Sequence, residues 1–392
     1  MWEKGLTSCG HFGTSNPKSI SEACSAIRAH LDPLSLRGWT SGRISRKSGL
    51  PGRTGGRKHG ESNDDARESI VMETRNRGRQ IDRRRFLQGV ATGVACSPLA
   101  SLGAGQGDKS RVIVAERDDF GTGSDINRQV VKQAVDAMVK ALSGKANVDE
   151  AWRTFVSPKE TVAMKSNGQH RGGSTSPALV WAVCRGLVDA GVPQQKIIVL
   201  DRNQQDLQTW GVKTFEDMPK VRFLTADSAW DAEVKVGPVK TRLTRVLTRD
   251  ADAIINLPRL KHHVVAGVTI AMKNHMGSIP NPTDFHRTID AIAELNCLPP
   301  IRNKTRLALC DAIVGILDKG PQFRGPHCAW QAKSLLAATD VVALDAVGAE
   351  MVRKARIAKG TGPTKPHPRH IAHAAEIGLG RADLRKIDAI KV

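Results

Sequence analysis

The sequence of 392 residues contains no tyrosine, and its aromatic residues make up only 4% of the chain. Proteins that bind nucleic acid commonly combine a basic surface with aromatic side chains on which bases stack. The scarcity of aromatics therefore argues against a nucleic-acid partner, even though the chain carries a net charge of +20. A charge of this sign favours an anionic small molecule as partner, or it reflects a generally basic, solvated surface.

Paired cysteines are also lacking, because none of the seven cysteines forms a C-x-x-C motif. The spacing does not match a zinc ribbon or a ferredoxin-type cluster, so an iron–sulfur cofactor is not expected. Four of the cysteines fall in the large C-terminal region, irregularly spaced. In a region of that size we expect buried thiols rather than a disulfide framework.

Residues 1–71 show no sustained apolar period and are rich in Gly, Ser, Arg and Lys, which predicts disorder. Met72 is a second methionine at which translation can start. Our interpretation is that Met72 is the true start and that 1–71 is an upstream extension absent from the natural protein.

The region 72–107 resembles a twin-arginine export signal. Arg83 and Arg84 precede a weakly apolar run, Gly89–Leu102, of about 14 residues. That run is too short to span a bilayer, which needs roughly 20 apolar residues. The resemblance implies export by the twin-arginine machinery across the inner membrane into the periplasm, in an already folded state. In an alternative interpretation, a lipid attached to Cys96 anchors the protein to the membrane.

From residue 111 to residue 392, short β-rich runs alternate with helical periods. This alternation predicts one large α/β domain, with a mainly parallel sheet covered by helices on both faces. The segment Val234–Arg249 alternates in polarity around Gly237-Pro238 and predicts a β-hairpin at a sheet edge. The predicted strands are Arg111–Ala115, Thr161–Met164, Lys196–Leu200, Ala253–Leu257 and Arg306–Cys310. The predicted helices are Ile126–Leu142, Ala178–Ala190, Val341–Arg356 and Ile371–Ile377.

Polar side chains follow four of the predicted strands. Ligands of parallel sheets bind outside the carboxyl ends of the strands, so we expect these side chains to converge on one site. They are Lys165 and Asn167 after the second strand, Asp201 after the third, Lys261 and His263 after the fourth, and Asp311 after the fifth.

The richest segment, Lys261–Gly277, carries lysines and histidines around an apolar run. We expect a helix here, with Thr269 and Lys273 four residues apart on one face. Gly277 is suited to end such a helix in the left-handed conformation. The adjacent His262 and His263 would point to opposite sides of an extended chain, so only one of them should face the site.

Three lysines meeting in one cleft would bind a carboxylate or a phosphate, and a desolvated lysine can also act as a base or nucleophile. We therefore predict an enzyme acting on an anionic small molecule or cofactor. Its catalytic residues would be Lys261, His263 and Lys273, and its ligand-binding residues would be Lys165, Asn167, Asn274, Asp201 and Asp311.

The alternative prediction is a non-catalytic binding protein for a metal or an anion. Imidazole and carboxylate groups are ordinary metal ligands, and a bound metal ion is therefore a second hypothesis for this site. The candidate ligands are His263, His286, Asp201 and Asp311.

Seven motifs in order resemble those of the bacterial and archaeal "domain of unknown function 362" family. They are V-A-M-K-S-N (162–167), I-I-V-L-D (197–201), I-N-L-P-R-L-K-H-H (255–263), V-T-I-A-M-K-N-H-M-G (268–277), C-D-A-I-V-G-I-L-D-K-G-P (310–321), A-A-T-D-V-V-A-L-D-A-V-G-A (337–349) and E-I-G-L-G-R-A-D-L (376–384). The resemblance implies that the family's motif residues are here Lys165, Asn167, Asp201, Lys261, His263, Lys273, Asn274, Gly277, Asp311, Asp340 and Asp345. Some members carry twin-arginine signals or ferredoxin-like segments, and this chain departs from the latter in its cysteines.

Overall fold

A computed structural model describes residues 109–169, 172–207 and 215–392. The predictions for 1–71 and 72–107 lie outside the described residues. No helix in the described ranges is long and apolar enough to cross a membrane.

Within the described residues, ten strands form one sheet at the centre of the fold. Two more strands, β5 and β6, form a separate pair. In chain order the twelve strands of the described residues are β1 (Ser110–Glu116), β2 (Val162–Lys165), β3 (Ile197–Asp201), β4 (Arg222–Thr225), β5 (Trp230–Val236), β6 (Val239–Thr244), β7 (Ala253–Asn256), β8 (Arg259–His263), β9 (Gly267–Thr269), β10 (Thr305–Ile316), β11 (Ala329–Ala338) and β12 (Ile387–Lys391). The sheet order is β12-β1-β11-β10-β7-β2-β3-β4, while β8 pairs with β10 and β9 pairs with β8. Within this ten-stranded sheet, only the pairs made by β11 and β9 are antiparallel, which confirms the prediction of a mainly parallel sheet.

The helices of the described residues cover both faces of the sheet. They are α1 (Arg128–Ser143), α2 (Val148–Phe155), α3 (Pro177–Asp189), α4 (Gln204–Leu207), α5 (Ala271–Asn274), α6 (Pro282–Arg287), α7 (Ala291–Cys297), α8 (Pro299–Arg302), α9 (Val341–Ala358) and α10 (Arg369–Glu376). Side chains along a strand point alternately to opposite faces. Accordingly Val162 and Met164 pack with α1, α2 and α3, while Ala163 packs with α7 and α9 on the other face.

Local sequence explains where the helices begin. The Ser176 side chain accepts a hydrogen bond from the Leu179 amide, and Pro177 occupies the first turn, as expected for a capped helix start. Asp340 caps α9 in the same way, accepting hydrogen bonds from the amides of Val342 and Ala343. Asp340 is therefore placed as a helix cap.

Three local predictions differ from the structure. Strand β10 continues to Ile316, so Asp311 lies inside a strand and not beyond its end. The hairpin forms at Gly237-Pro238, but its strands pair as a separate two-stranded sheet. Thr269 lies in β9 and Lys273 in the single turn α5, so the prediction of one helical face was wrong. Gly267, with a φ of 81°, allows β8 and β9 to form a tight antiparallel pair there instead.

Candidate functional site

A polar cleft with a volume of about 150 Å³ opens at the carboxyl ends of β2 and β3 and beside β8. Parallel strands end together at this edge, which is where ligands of such sheets bind. The structure brings eight of the predicted residues into the lining of this cleft: Lys165, Asn167, Asp201, Lys261, His263, Lys273, Asn274 and His286.

Asp311 is not part of the cleft lining. Its carboxylate lies 2.8 Å from the Arg259 guanidinium and accepts hydrogen bonds from the amides of Ser176 and Ile313. The Asp311 side chain is fully buried. It therefore anchors the start of α3 against the sheet, and its oxygens are occupied by these partners.

Lys165 and Asp201 end the neighbouring strands β2 and β3 and form a buried ion pair of 3.0 Å. The Asp201 carboxylate also accepts hydrogen bonds from the amides of Gly168 at 2.6 Å and Arg202 at 2.7 Å. A buried carboxylate is costly unless its oxygens accept hydrogen bonds or pair with a cation. Asp201 thus fixes the two loops that form one wall of the cleft.

Gly277 lies against this ion pair. A Cβ atom at this position would lie 2.8 Å from the Lys165 ammonium nitrogen and 3.5 Å from a carboxylate oxygen of Asp201. Gly277 has no positive φ, so the predicted left-handed helix end is wrong. The glycine is required here by the close approach of a charged side chain.

The side chains of Asn167, Asn274 and Asn256 form a hydrogen-bonded chain beside the cleft. Asn167 donates to Asn274 at 2.9 Å, and Asn274 donates to the side chain of Asn256 at 2.8 Å and to the Lys165 carbonyl at 3.0 Å. Asn256 in turn donates to the Ala271 carbonyl at 2.9 Å. Asn274 has its amide groups engaged with protein partners, so it positions the others. Asn256 was not predicted as a site residue, because it ends a buried strand and shows no distinguishing pattern.

Lys261 reaches the cleft from β8. Its ammonium group donates to the Asn167 side chain at 2.8 Å and to the Gly173 carbonyl at 3.0 Å. The residue is 1% exposed. Burial, together with the nearby charges of Lys273 and Arg259, lowers the pKa of Lys261 to about 7.

Lys273 is presented by the single turn α5. The buried carboxylate of Asp345 accepts hydrogen bonds from the amides of Ala271 and Met272 and so holds the start of this turn. The Lys273 ammonium nitrogen lies 3.1 Å from Nε2 of His286, and no carboxylate among the described residues pairs with it. Burial lowers the pKa of Lys273 to about 7.

Two histidines face these lysines, with ring centroids 5.0 Å apart. Nδ1 of His263 accepts hydrogen bonds from the amides of Val265 and Ala266, which places the ring hydrogen on Nε2. Burial and then the charge of Lys273 lower the pKa of His263 to about 2, and the same two causes lower the pKa of His286 to about 4. Both imidazoles are therefore neutral near pH 7.

The neighbouring histidines lie outside the cleft lining. Nε2 of His262 lies 3.2 Å from the Lys365 carbonyl, so only His263 of the adjacent pair faces the cleft, as expected. His275 is fully buried, and its Nδ1 lies 3.4 Å from the hydroxyl of Ser278.

Arg202, Asp206 and Thr269 are among the further polar residues that line the cleft. The Thr269 hydroxyl is buried without a hydrogen-bond partner among the described residues. Burial and the charge of Asp201 raise the pKa of Asp206. Neither Asp206 nor Thr269 was among the predicted site residues.

The cleft is therefore cationic, with four basic side chains against two carboxylates. Within the described ranges, no group of three or more His, Cys, Asp or Glu side chains is arranged to hold a metal ion. A lysine-rich, desolvated cleft can bind an anion and can exchange protons with it near neutral pH.

Residues 162–350 match the model of a family described as Domain of unknown function (DUF362). The match includes six of the seven motifs and supports the family resemblance. The chain is also similar to the crystal structure of a protein from Thermotoga maritima, with a TM-score of 0.30 and 10% sequence identity. That likeness covers 52% of this chain and about half (54%) of the other. No curated protein matches the chain.

Proposed function

We propose that the chain is an enzyme that binds an anionic small molecule in the cleft at the carboxyl ends of β2 and β3. The observation that carries this proposal is the burial of Lys261 and Lys273, which are 1% and 7% exposed and have no carboxylate partner among the described residues. Both side chains line the same cleft.

The physical argument rests on desolvation. A buried ammonium group without a counter-ion is costly, and the group loses its proton or acquires an anionic partner. Lys165 has such a partner in Asp201, whereas Lys261 and Lys273 have only neutral acceptors in the part of the chain that the structure describes. A carboxylate or phosphate bound between Lys261 and Lys273 would supply the missing charge.

The same contacts suggest a role for each group. Lys261 and Lys273 titrate near neutral pH and would bind the anion and exchange protons with it. The predicted acid/base role of His263 fits the contacts less well, because its basic ring nitrogen, Nδ1, already accepts hydrogen bonds from the amides of Val265 and Ala266. Its Nε2–H would instead donate a hydrogen bond to the ligand. Asn167 and Asn274 would keep Lys261 in place.

Calorimetric titration with oxalate and with inorganic phosphate tests this proposal. We expect Lys261→Met and Lys273→Met each to lower the affinity for the better probe by at least about tenfold, the loss of one charge-assisted hydrogen bond. Lys235→Met is the matched control, because Lys235 is exposed on β5, and it should bind like the unchanged protein. Equal affinity in all three variants would overturn the proposal.

A turnover assay separates the enzyme from the alternative binding protein. Ligand that copurifies in a 1:1 ratio and is returned chemically unchanged would favour the non-catalytic protein predicted as the alternative. Elemental analysis of the same preparation tests the metal hypothesis for His263, His286 and Asp201. Conversion of the copurifying ligand would favour the enzyme.

We also propose export to the periplasm through the twin-arginine machinery, on the basis of the sequence around Arg83 and Arg84. Changing both to lysine should keep the protein in the cytoplasmic fraction of a cell that has this pathway. Unchanged periplasmic recovery of the Arg83→Lys, Arg84→Lys double variant would contradict the export proposal.

A further inference from the structure

Lys273 differs from the other two lysines of the cleft in what surrounds its nitrogen. Lys165 is paired with Asp201, and Lys261 donates to two oxygen acceptors. Among the described residues, the only hydrogen-bond contact of the Lys273 nitrogen is with Nε2 of His286, at 3.1 Å. No oxygen among the described residues accepts a hydrogen bond from the Lys273 nitrogen. Of the three lysine amines in the cleft, it therefore has the fewest contacts that hold it in place.

We propose that Lys273 is a nucleophile that forms an imine with the carbonyl group of a small oxo acid bound in the cleft. The inference rests on the anion-binding function proposed above and assigns its substrate class. Amines become nucleophilic in proteins when they are desolvated or lie near another cation, and Lys273 meets both conditions. A pKa of about 7 leaves roughly half of the amine neutral at pH 7, compared with under about 0.1% for an ordinary lysine.

The groups around Lys273 suit both ends of an oxo acid. The Nε2–H of His263 and the unpartnered hydroxyl of Thr269 are donors available to a carbonyl oxygen. Lys261 and Arg202 are cations available to the carboxylate. The volume of about 150 Å³ is well below that of a cleft for a drug-sized ligand, which indicates an oxo acid of a few carbon atoms.

The step balances without an oxidant or reductant. The neutral amine attacks the carbonyl carbon, a carbon–nitrogen bond forms, and the carbonyl π electrons move to oxygen. Nε2 of His286 is placed to take a proton from the nitrogen and return it to that oxygen. Loss of the resulting hydroxyl as water, with uptake of one proton, leaves a protonated imine on Lys273.

Reductive trapping tests this on the unmodified full-length protein. The protein is incubated at pH 7 with glyoxylate, pyruvate or 2-oxobutyrate and sodium cyanoborohydride, and adducts are located by peptide mass spectrometry. At least one probe should give an adduct on Lys273 that exceeds the adduct on the exposed Lys235 by at least about tenfold. Oxalate, which has no reactive carbonyl, should suppress labelling at Lys273 and leave labelling at Lys235 unchanged.

Lys273→Arg keeps the positive charge and removes the nucleophile. With every probe it should form no adduct at position 273, whereas labelling at Lys235 should stay unchanged. If oxalate binds to the unmodified protein but no probe labels Lys273 above Lys235, the imine proposal is overturned and the anion-binding function stands. If oxalate and phosphate both fail to bind and no probe labels Lys273, both proposals are overturned.

Discussion

The ammonium nitrogen of Lys165 lies 3.0 Å from a carboxylate oxygen of Asp201, and both side chains are almost completely buried. The two residues end adjacent parallel strands, so the ion pair joins β2 to β3 at the edge where the cleft opens. Because Asp201 also accepts hydrogen bonds from two loop amides, one carboxylate fixes both loops. The geometry of the cleft therefore depends on this pair.

Replacing Asp201 by alanine should strongly destabilise the protein. Removing one partner of a buried ion pair leaves an uncompensated charge and costs about 3–5 kcal/mol. Urea unfolding at pH 7 measures the loss. Asp388→Ala is the control, because its pair with Lys109 is about half exposed and contributes at most about 1 kcal/mol. Equal losses in the two variants would show that the Lys165–Asp201 pair has no special role.

Gly277→Ala should weaken both stability and anion binding. The added Cβ would displace the Lys165 ammonium group from Asp201, and overpacking of this kind typically costs about 1–3 kcal/mol. A double-mutant cycle with Lys165→Ala checks the cause. In that background the alanine should cost much less, since the displaced group is gone. If Gly277→Ala lowers the stability equally in both backgrounds, the alanine acts through a contact other than the one with Lys165.

Much of this fold follows from the sequence, because buried parallel strands appear as short apolar runs. Lys165 and Asp201, which were predicted to follow the second and third strands, are the last residues of β2 and β3. Asp311 shows where prediction from local apolar runs fails. The apolar run around it continues to Ile316, so the strand continues, and the partner that lets a carboxylate remain buried is Arg259, 52 residues away in the chain. Long-range partners of this kind leave no local pattern.

The candidate site shows the same contrast between features that the local sequence predicts and features that depend on long-range contacts. Lys261 and Lys273 were predicted from residue type and position. Their lack of a carboxylate partner among the described residues could not be predicted, because it depends on which side chains the fold brings near them. Gly277 was explained by a helix end, whereas its actual constraint is Lys165, which lies more than 100 residues earlier in the sequence. Close approach across the fold is not encoded in neighbouring residues.

Lys273→Met should stabilise the protein at pH 6, by about 1–4 kcal/mol, while lowering the anion affinity by at least about tenfold. Its pKa is lowered to about 7, so the unfolded state binds more protons than the folded state between about pH 7 and 10.5. The unfavourable contribution of the charge is therefore complete below pH 7 and declines as the pH rises through this window. Urea unfolding at pH 6 and pH 9.5 should show a smaller difference between the proteins at the higher pH.

Lys304→Met is the matched control for this experiment. Lys304 is also partly buried, but its ammonium group donates to the carbonyls of Leu247, Thr248 and Ala251. Its loss should destabilise the protein and leave oxalate affinity unchanged. Destabilisation by Lys273→Met at pH 6 would mean that Lys273 has a stabilising partner.

His370→Leu should reduce the sensitivity of the protein to acid. His370 is fully buried in α10, and burial lowers its pKa to about 3. The unfolded state alone binds a proton between about pH 6.5 and 3, so stability is lost as the pH falls below 6.5. At pH 5 this loss is on the order of 2 kcal/mol for this one group. Unfolding at pH 7.5 and pH 5 measures it, and the exposed His327→Leu should behave like the unchanged protein.

The most direct test is a pH titration of the lysine Cε signals by nuclear magnetic resonance, in ¹³C-lysine-labelled protein with and without oxalate. Without oxalate, the signals of Lys261 and Lys273, assigned with their methionine variants, should titrate near pH 7. Oxalate should raise both midpoints by at least about one pH unit, because the bound anion stabilises the charged amines. Midpoints above about pH 9 without oxalate, or midpoints that oxalate does not move, would contradict the account.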